Sequence, residues 1–310
     1  MDQNLASAWS PPEGVTRHAG GAIPAEFDFF VAPPPEIGRI ISADTSLSIT
    51  QQPIPFLKRL IKSVLSGVLG TVITGLILLF FKFPVILILI FGGMGGGIFA
   101  LVTYIDSEFK HFFTYVGEVG IAEVTLKGSR QAKPKTRILC FKEAGNLFTS
   151  QTRRYKSGVY RGTSYTYQWT RPGHKNFVLS GQHGSETGWP DDKSHWHFAN
   201  AAEGAWSHFL LNALNEQLIS RGYVEFPILG NLQAVRIGQG FLEFVLKTGE
   251  TQRVAVSDMR DIGLGGGEFR FVHQDARWWS GKGKYSFSYN GIPNARLFLM
   301  CLKTLVGISF

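Results

Sequence analysis

The feature that most constrains this chain is an apolar stretch from Val64 to Ile105, in which Lys82 is the only charged residue. The run on either side of Lys82 is about as long as the ~20-residue helix that crosses the ~30 Å hydrocarbon core of a bilayer. One continuous helix would be about twice too long, and Pro84 disfavours helix continuation beside Lys82. The sequence therefore predicts a transmembrane hairpin of two antiparallel helices over residues 56–106, with its turn at Lys82.

The distribution of positive charge predicts how this hairpin is oriented. Lys58, Arg59 and Lys62 flank its start, Lys110 follows its end, and the turn offers only Lys82. The formal net charge is +8, and residues 107–180 alone carry 13 Lys and Arg against four Glu. Because loops rich in Lys and Arg stay in the cytoplasm, both termini should face inward. We expect a multi-pass integral membrane protein with two helices, most naturally placed in a bacterial inner membrane.

Small residues predict how the two helices associate. Ser63, Gly67, Thr71 and Gly75 recur at every fourth position of the first helix, and the second contains a glycine-rich run at 92–97. Ridges of small residues let two helix backbones approach closely. Packing of the two helices on each other is the simplest interpretation. Self-association of copies through the glycine-rich helices, or a pore lined by these glycines, remains open.

The segment before the hairpin has the composition of a disordered tail. Residues 1–55 contain eight prolines in scattered groups, no steady apolar period, and an acidic balance of six Asp and Glu against two Arg. The apolar patch at 27–31 leaves a short partner-binding segment open. Only Cys140 and Cys301 occur, far apart, which fits a reducing compartment without a disulfide framework.

From Phe112 onward, short alternating strands followed by one amphipathic helix occur twice, which predicts an α+β region of two units. The first unit covers 112–222 and ends in a helix closed by Gly222. The second covers 223–310 and ends in a helix that starts near Pro293. The eight residues of 120–127 match those of 240–247 at Gly, Glu, Leu and Lys in identical spacing.

This order of elements resembles the pleckstrin-homology-like (PH-like) superfold, and residues 254–262 resemble an "apolar strand, then acidic-x-x-acidic-Ile" passage of its bacterial members. Several such bacterial families also place a two-helix membrane hairpin directly before the domain. The resemblance covers roughly 112–310. It implies a fold class of a transmembrane hairpin followed by two PH-like antiparallel β-barrels, each closed by a C-terminal amphipathic helix.

The best candidate surface is the basic loop between the first two strands of the first unit. In lipid-binding PH domains this loop carries the cations that grip a phosphorylated headgroup, which here implies Lys127, Arg130, Lys133, Lys135 and Arg137. Cations at alternate positions of a strand edge point to one side, and this suits phosphate oxygens. Three interpretations are open. The loop could be a surface that contacts anionic lipid, a specific headgroup pocket, or a solvated loop that only helps to fix the membrane topology.

Patterns for catalysis or metal binding are weak. His195 and His197 would lie on the same side of a strand, but HExxH is missing and a third ligand would have to be guessed. The serines lack the flanking glycines of a nucleophile elbow, and the glycine-rich 263–267 lacks the setting of a dinucleotide fold. We therefore expect no metal, no cofactor and no enzymatic activity.

Together these features predict a non-enzymatic integral membrane adaptor. Its cytoplasmic tandem PH-like domains would bind anionic lipid surface, a peptide or a protein partner, and not nucleic acid. The alternative is an oligomeric two-helix channel or transport accessory subunit that uses the glycine-rich helix.

Overall fold

The structure is a computed structural model, and it describes residues 9–29, 31–129, 132–230, 232–277 and 283–310. Within these ranges the chain is α+β. The α-helices are α1 (Phe56–Phe80), α2 (Val85–Asp106), α3 (Trp196–Arg221) and α4 (Ala295–Val306). The strands before α3 are β1 (Ile40–Thr45), β2 (Lys110–Gly117), β3 (Gly120–Lys127), β4 (Lys135–Cys140), β5 (Leu147–Lys156), β6 (Val159–Trp169) and β7 (Phe177–His183). Those after it are β8 (Tyr223–Pro227), β9 (Leu232–Gly238), β10 (Phe241–Leu246), β11 (Thr251–Ala255), β12 (Met259–Gly265), β13 (Glu268–His273) and β14 (Lys284–Ser288).

Helices α1 and α2 are long and apolar enough to cross a membrane. Their large apolar side chains are mostly exposed, as Leu76 (61%) and Leu89 (71%) show. The residues that are buried on them are small, namely Ser63, Gly67, Gly70, Gly92 and Gly96. A core helix of a soluble protein buries its large side chains, so this reversed pattern is the one expected of helices surrounded by lipid.

The two helices pack on each other along their small residues, which confirms the predicted association within the hairpin. A Cβ atom added at Gly96 would lie 2.6 Å from the carbonyl oxygen of Gly67. The Ser63 hydroxyl donates a 2.5 Å hydrogen bond to the carbonyl oxygen of Ala100 across the same interface. At the turn, Lys82 adopts a positive φ of 57° and α2 begins directly after Pro84.

The strands form four antiparallel sheets. The first unit contains a sheet of order β1-β2-β3-β4 and a sheet of order β5-β6-β7, and α3 follows. The second unit repeats this plan with a sheet of order β11-β10-β9-β8, a sheet of order β12-β13-β14, and α4. Hydrogen bonds close none of these sheets into a barrel within the described residues. The predicted succession of strands and one helix per unit is therefore present, as open sheets.

The N-terminal segment is not a disordered tail over the described part of residues 1–55, so that prediction is wrong. Strand β1 pairs with β2, with Asp44 opposite Thr114. Phe29, Ile37 and Leu47 are buried in a core shared with β2 and β3. The hairpin is thus inserted between the first two strands of the first sheet, and the first unit begins before the hairpin rather than at 112. The apolar residues of the N-terminal segment are too widely spaced to show a period in the sequence, because β2 and β3 supply the rest of that core.

Each unit has an aromatic-rich core closed by its helix. In the first unit, Trp206 of α3 is buried against Phe141, with ring centroids 5.4 Å apart. In the second unit, Phe298 of α4 packs edge-to-face on Phe226 at 5.2 Å. Edge-to-face aromatic pairs add stability beyond the apolar area that they bury.

Candidate functional site at the helix end of the first sheet

The predicted basic loop lies beside the point where the hairpin joins the first sheet. Lys127, the last residue of β3, pairs directly opposite Lys110, the first residue of β2. Four positions separate Lys110 from Asp106, the last residue of α2. The amide of Gly128 donates a 2.7 Å hydrogen bond to the carbonyl oxygen of Phe109. The loop between β3 and β4 therefore leaves the sheet at its helix end.

Three of the predicted lipid-binding residues meet at this end. Lys127, Lys133 and Lys135 are exposed there, and Lys135 pairs opposite Thr125 of β3. Lys110 joins them, although sequence reasoning had treated it only as a flanking charge. Its position directly after an apolar helix was the signal that could have included it. We call Lys110, Lys127, Lys133 and Lys135 the basic end.

The remaining two predicted residues differ from these. The Arg137 guanidinium donates to Glu123 Oε2 at 2.7 Å and to the carbonyl oxygen of Val178 at 3.0 Å, and it lies 4.6 Å from the centroid of the Phe177 ring. It thus joins β4 to β7, and its charge is already paired. Arg130 lies outside the described residues, so its place in a lipid site stays a prediction.

A cavity of about 410 Å³ opens beside the junction of hairpin and sheet. Part of its wall is formed by residues that lead into and out of the hairpin, namely Thr45, Ser46, Leu47, Ser48 and Gln51 before α1 and Phe112 of β2 after α2. The rest comes from the N-terminal segment and from the residues around the start of α3, namely Arg17, His18, Glu26, Phe27, Asp44, Thr114, Asp192, Lys193, Ser194, His195, His197 and Phe198. Its size falls within the range of small-molecule sites.

An ion pair with its hydrogen bonds, which we call the latch, forms part of the cavity wall. Arg17 donates two hydrogen bonds to Asp44 Oδ2, at 3.2 and 3.1 Å, and a third to the carbonyl oxygen of Asp192 at 3.0 Å. Asp44 Oδ1 accepts from the amide of Thr45 at 3.0 Å. Burial raises the pKa of Asp44, although Arg17 acts in the opposite direction. The latch joins the N-terminal segment to the loop before α3 and leaves these groups already paired.

The buried imidazole of His18 forms another part of the wall. Its Nδ1 lies 2.8 Å from Ser42 Oγ, and its Nε2 lies 3.0 Å from Thr114 Oγ1. The Thr114 hydroxyl donates a hydrogen bond to the carbonyl oxygen of Asp44, so its oxygen is free to accept a hydrogen bond from Nε2. Burial lowers the pKa of His18 to about 3. His18 is therefore an uncharged part of the wall at neutral pH.

His195 and His197 do not lie on a strand, so that prediction is wrong. His195 is the N-cap of α3 and His197 lies in its first turn. His195 Nε2 is 3.6 Å from Glu123 Oε1, while His197 Nε2 donates to the carbonyl oxygen of Pro190 at 3.1 Å. The contact with His195 is the largest cause that lowers the pKa of Glu123. Among the described residues, no group of three His, Cys, Asp or Glu is placed to hold a metal ion.

No family model matches this chain, and none of the curated proteins searched matches it. The geometry of the basic end and of the adjacent cavity is therefore the basis for a functional assignment.

Proposed function

We propose that this chain is a membrane-anchored adaptor whose basic end binds anionic lipid headgroups. In this proposal α1 and α2 cross the bilayer, and both folded units lie on the cytoplasmic side of a bacterial inner membrane. The basic end faces the headgroups beside the hairpin from which it emerges. The adaptor performs no chemistry itself and holds its two units at the membrane surface.

The observation that carries the proposal is the pairing of Lys110 with Lys127 next to the end of α2. Four residues of chain reach at most about 14 Å, so Lys110 stays near the bilayer whenever α2 crosses it. The 2.7 Å hydrogen bond from the Gly128 amide to the Phe109 carbonyl oxygen holds the start of the β3–β4 loop beside Lys110, at the same distance from the bilayer. Each cation held near an anionic leaflet contributes roughly 1 kcal/mol, and this contribution fades over a Debye length of about 8 Å.

The arrangement of sheets supports PH-like units. In each unit a four-stranded sheet, a three-stranded sheet and one C-terminal helix follow in that order. The buried faces of α3 and α4 complete the two cores, as the closing helix of such a domain would. Insertion of the hairpin between β1 and β2 makes the first unit a part of the membrane anchor. A further peptide or protein partner stays a prediction.

The experiment uses the full chain in lipid vesicles and spin-labelled lipids. Electron paramagnetic resonance of labelled phosphatidylglycerol and labelled phosphatidylcholine measures which lipid the protein immobilises preferentially. We expect the wild type to favour the anionic label at physiological salt. The triple variant K127E/K133E/K135E should lose several-fold of this preference, because three attractions of roughly 1 kcal/mol become repulsions.

The matched control is K142E, which makes the same change at the opposite end of the first sheet. Lys142 is exposed and lies two positions after the end of β4. A strand of eight residues is about 26 Å long, several Debye lengths at physiological salt. K142E should therefore keep the wild-type preference. An equal loss in both variants, or a triple variant that still favours the anionic label, would refute the proposal.

A further inference from the structure

The cavity beside the basic end holds a nearly balanced set of charges. Its wall carries two cations, Arg17 and Lys193, and three carboxylates, Glu26, Asp44 and Asp192, which leave one negative charge in total. Three histidines also line the cavity, and one of them, His18, adds no positive charge at neutral pH because it is buried and hydrogen-bonded as the uncharged form. A ligand with net negative charge is therefore disfavoured, in contrast to the basic end.

Three of these charged groups remain exposed for a ligand. Arg17 and Asp44 are paired with each other in the latch, whereas the Asp192 carboxylate is 76% exposed and lies 3.9 Å from Arg17. Lys193 and Glu26 are exposed side chains at the cavity. Glu26 also adjoins the connection to α1, since its carbonyl oxygen accepts a 2.8 Å hydrogen bond from the amide of Ile49. The cavity thus offers one cation, Lys193, and two carboxylates, Glu26 and Asp192, to a ligand that carries both signs of charge.

The aromatic part of the wall favours a cationic group beside the carboxylate. The rings of Phe27, Phe112 and Phe198 line the same cavity. Arg17 already lies over the Phe27 ring, 5.3 Å from its centroid, so Phe112, which is 41% exposed, is the ring most open to a ligand cation. An ammonium group attracted both by a carboxylate and by ring faces is a recurring mode of amine recognition.

We propose that this cavity binds the headgroup of a zwitterionic phospholipid, with the phosphate paired to Lys193 and the ammonium paired to Glu26. The source of the ligand is the adjacent leaflet, because Gln51 in the cavity wall lies five positions before α1 and Phe112 lies six positions after α2. The inference rests on the proposed membrane placement of these helices. It adds a specific lipid site to the less selective attraction of the basic end, and the bound headgroup would contact both connections of the hairpin.

The test titrates the full chain in detergent with water-soluble headgroups, followed by ³¹P line broadening. Glycerophosphoethanolamine should bind saturably with a dissociation constant on the order of 1 mM, as expected of a fragment-sized ligand. Glycerol 3-phosphate, which lacks the ammonium, should bind at least fivefold more weakly. E26Q should weaken only the zwitterion, by about fivefold, whereas K193Q should weaken both compounds.

The control variants are E13Q and K142Q, which neutralise exposed residues outside the cavity and should leave both affinities unchanged. Three results would overturn the inference. Glycerol 3-phosphate could bind as tightly as the zwitterion, the affinities could be unchanged in E26Q and K193Q, or the zwitterion could show no saturable binding. Any of these would leave the spin-label result at the basic end unaffected, so the failure of this inference and that of the proposed function are distinguishable.

Discussion

The side-chain oxygen of Asn294 accepts a 2.7 Å hydrogen bond from the indole Nε1 of Trp206, and this bond joins the two folded units. Trp206 belongs to α3 of the first unit, and Asn294 precedes α4 of the second. The same side-chain oxygen accepts a 3.0 Å hydrogen bond from the backbone amide of Leu147. The backbone amide of Asn294 in turn donates to the Leu147 carbonyl oxygen at 2.7 Å. Asn294 also adopts a positive φ of 57°, which Asn tolerates better than most residues.

The first prediction concerns this contact between units. N294A should lower the free energy of unfolding by about 2–3 kcal/mol, because the buried Trp206 N–H loses its acceptor and Ala is strained at positive φ. N294D keeps an acceptor oxygen and should cost less. N294G removes the strain but not the loss of the acceptor, so it should stay destabilised. Thermal unfolding of the three variants measures this, and an N294A melting curve identical to wild type would contradict it.

The second prediction concerns the buried carboxyl of Glu203 on α3. Burial raises the pKa of Glu203 to about 7, with Arg296 acting in the opposite direction and Tyr167 and Tyr289 nearby. Because the folded pKa exceeds the unfolded value of 4.5, the folded state holds the proton more tightly. Stability from this group is present below pH 4.5 and is lost as the pH rises through 7, with a total on the order of 3 kcal/mol.

E203Q should remove this dependence, since Gln is close in size and stays uncharged. The variant should melt several degrees higher than wild type at pH 8 and at nearly the same temperature at pH 5. E216Q, an exposed change on the same helix, serves as control and should follow the wild type. If E203Q and wild type lose stability equally between pH 5 and 8, the carboxyl is not the responsible group.

The third prediction concerns His18 and has the opposite sign. Its folded pKa of about 3 lies below the unfolded value of 6.5, so the unfolded state binds the proton more readily. The contribution of uncharged His18 to the free energy of unfolding is fully present above pH 6.5. It falls as the pH drops, by about 2 kcal/mol at pH 5. H18N should show a flatter profile between pH 7.5 and 5, even if it is less stable throughout. H174N, a change at an exposed histidine, should keep the wild-type slope.

The fourth prediction compares two neighbouring glycines of α2. A Cβ at Gly96 would lie 2.6 Å from the Gly67 carbonyl oxygen, whereas a Cβ at Gly97 meets no atom within 4 Å. G96A should therefore push the helices apart and cost about 1–3 kcal/mol, while G97A should be neutral or stabilising because Ala favours helices. Thermal unfolding of both variants in detergent, with cross-linking between α1 and α2, tests this. Equal behaviour of the two would contradict the packing.

Local patterns predicted the hairpin and the strand series, because apolar length and alternation depend on neighbouring residues. They also placed Lys127, Lys133 and Lys135 in one loop. They did not show that β1 joins the first sheet, because its partner β2 follows only after the two helices. The sequence did not predict that α3 begins at Trp196, because the alternating His195, Trp196 and His197 look like a strand.

The cavity was beyond sequence reasoning for a similar reason. Its wall combines residues near 17, 44–51, 112 and 195, which no local period connects. The pairing of Arg137 with Glu123 also depends on register between β3 and β4. Contacts of this kind are fixed by the register of strands, and a shift of one residue would turn each side chain to the other face.

The most direct test of the central claim is the topology of the hairpin. Single cysteines would be introduced as K82C at the turn and K142C at the far end of the first sheet, in a full chain with C140S and C301S. A membrane-impermeant maleimide applied to intact cells should label K82C, whereas K142C should react only after permeabilisation. Labelling of K142C in intact cells, or protection of K82C there, would contradict a hairpin that crosses the membrane with both units inside.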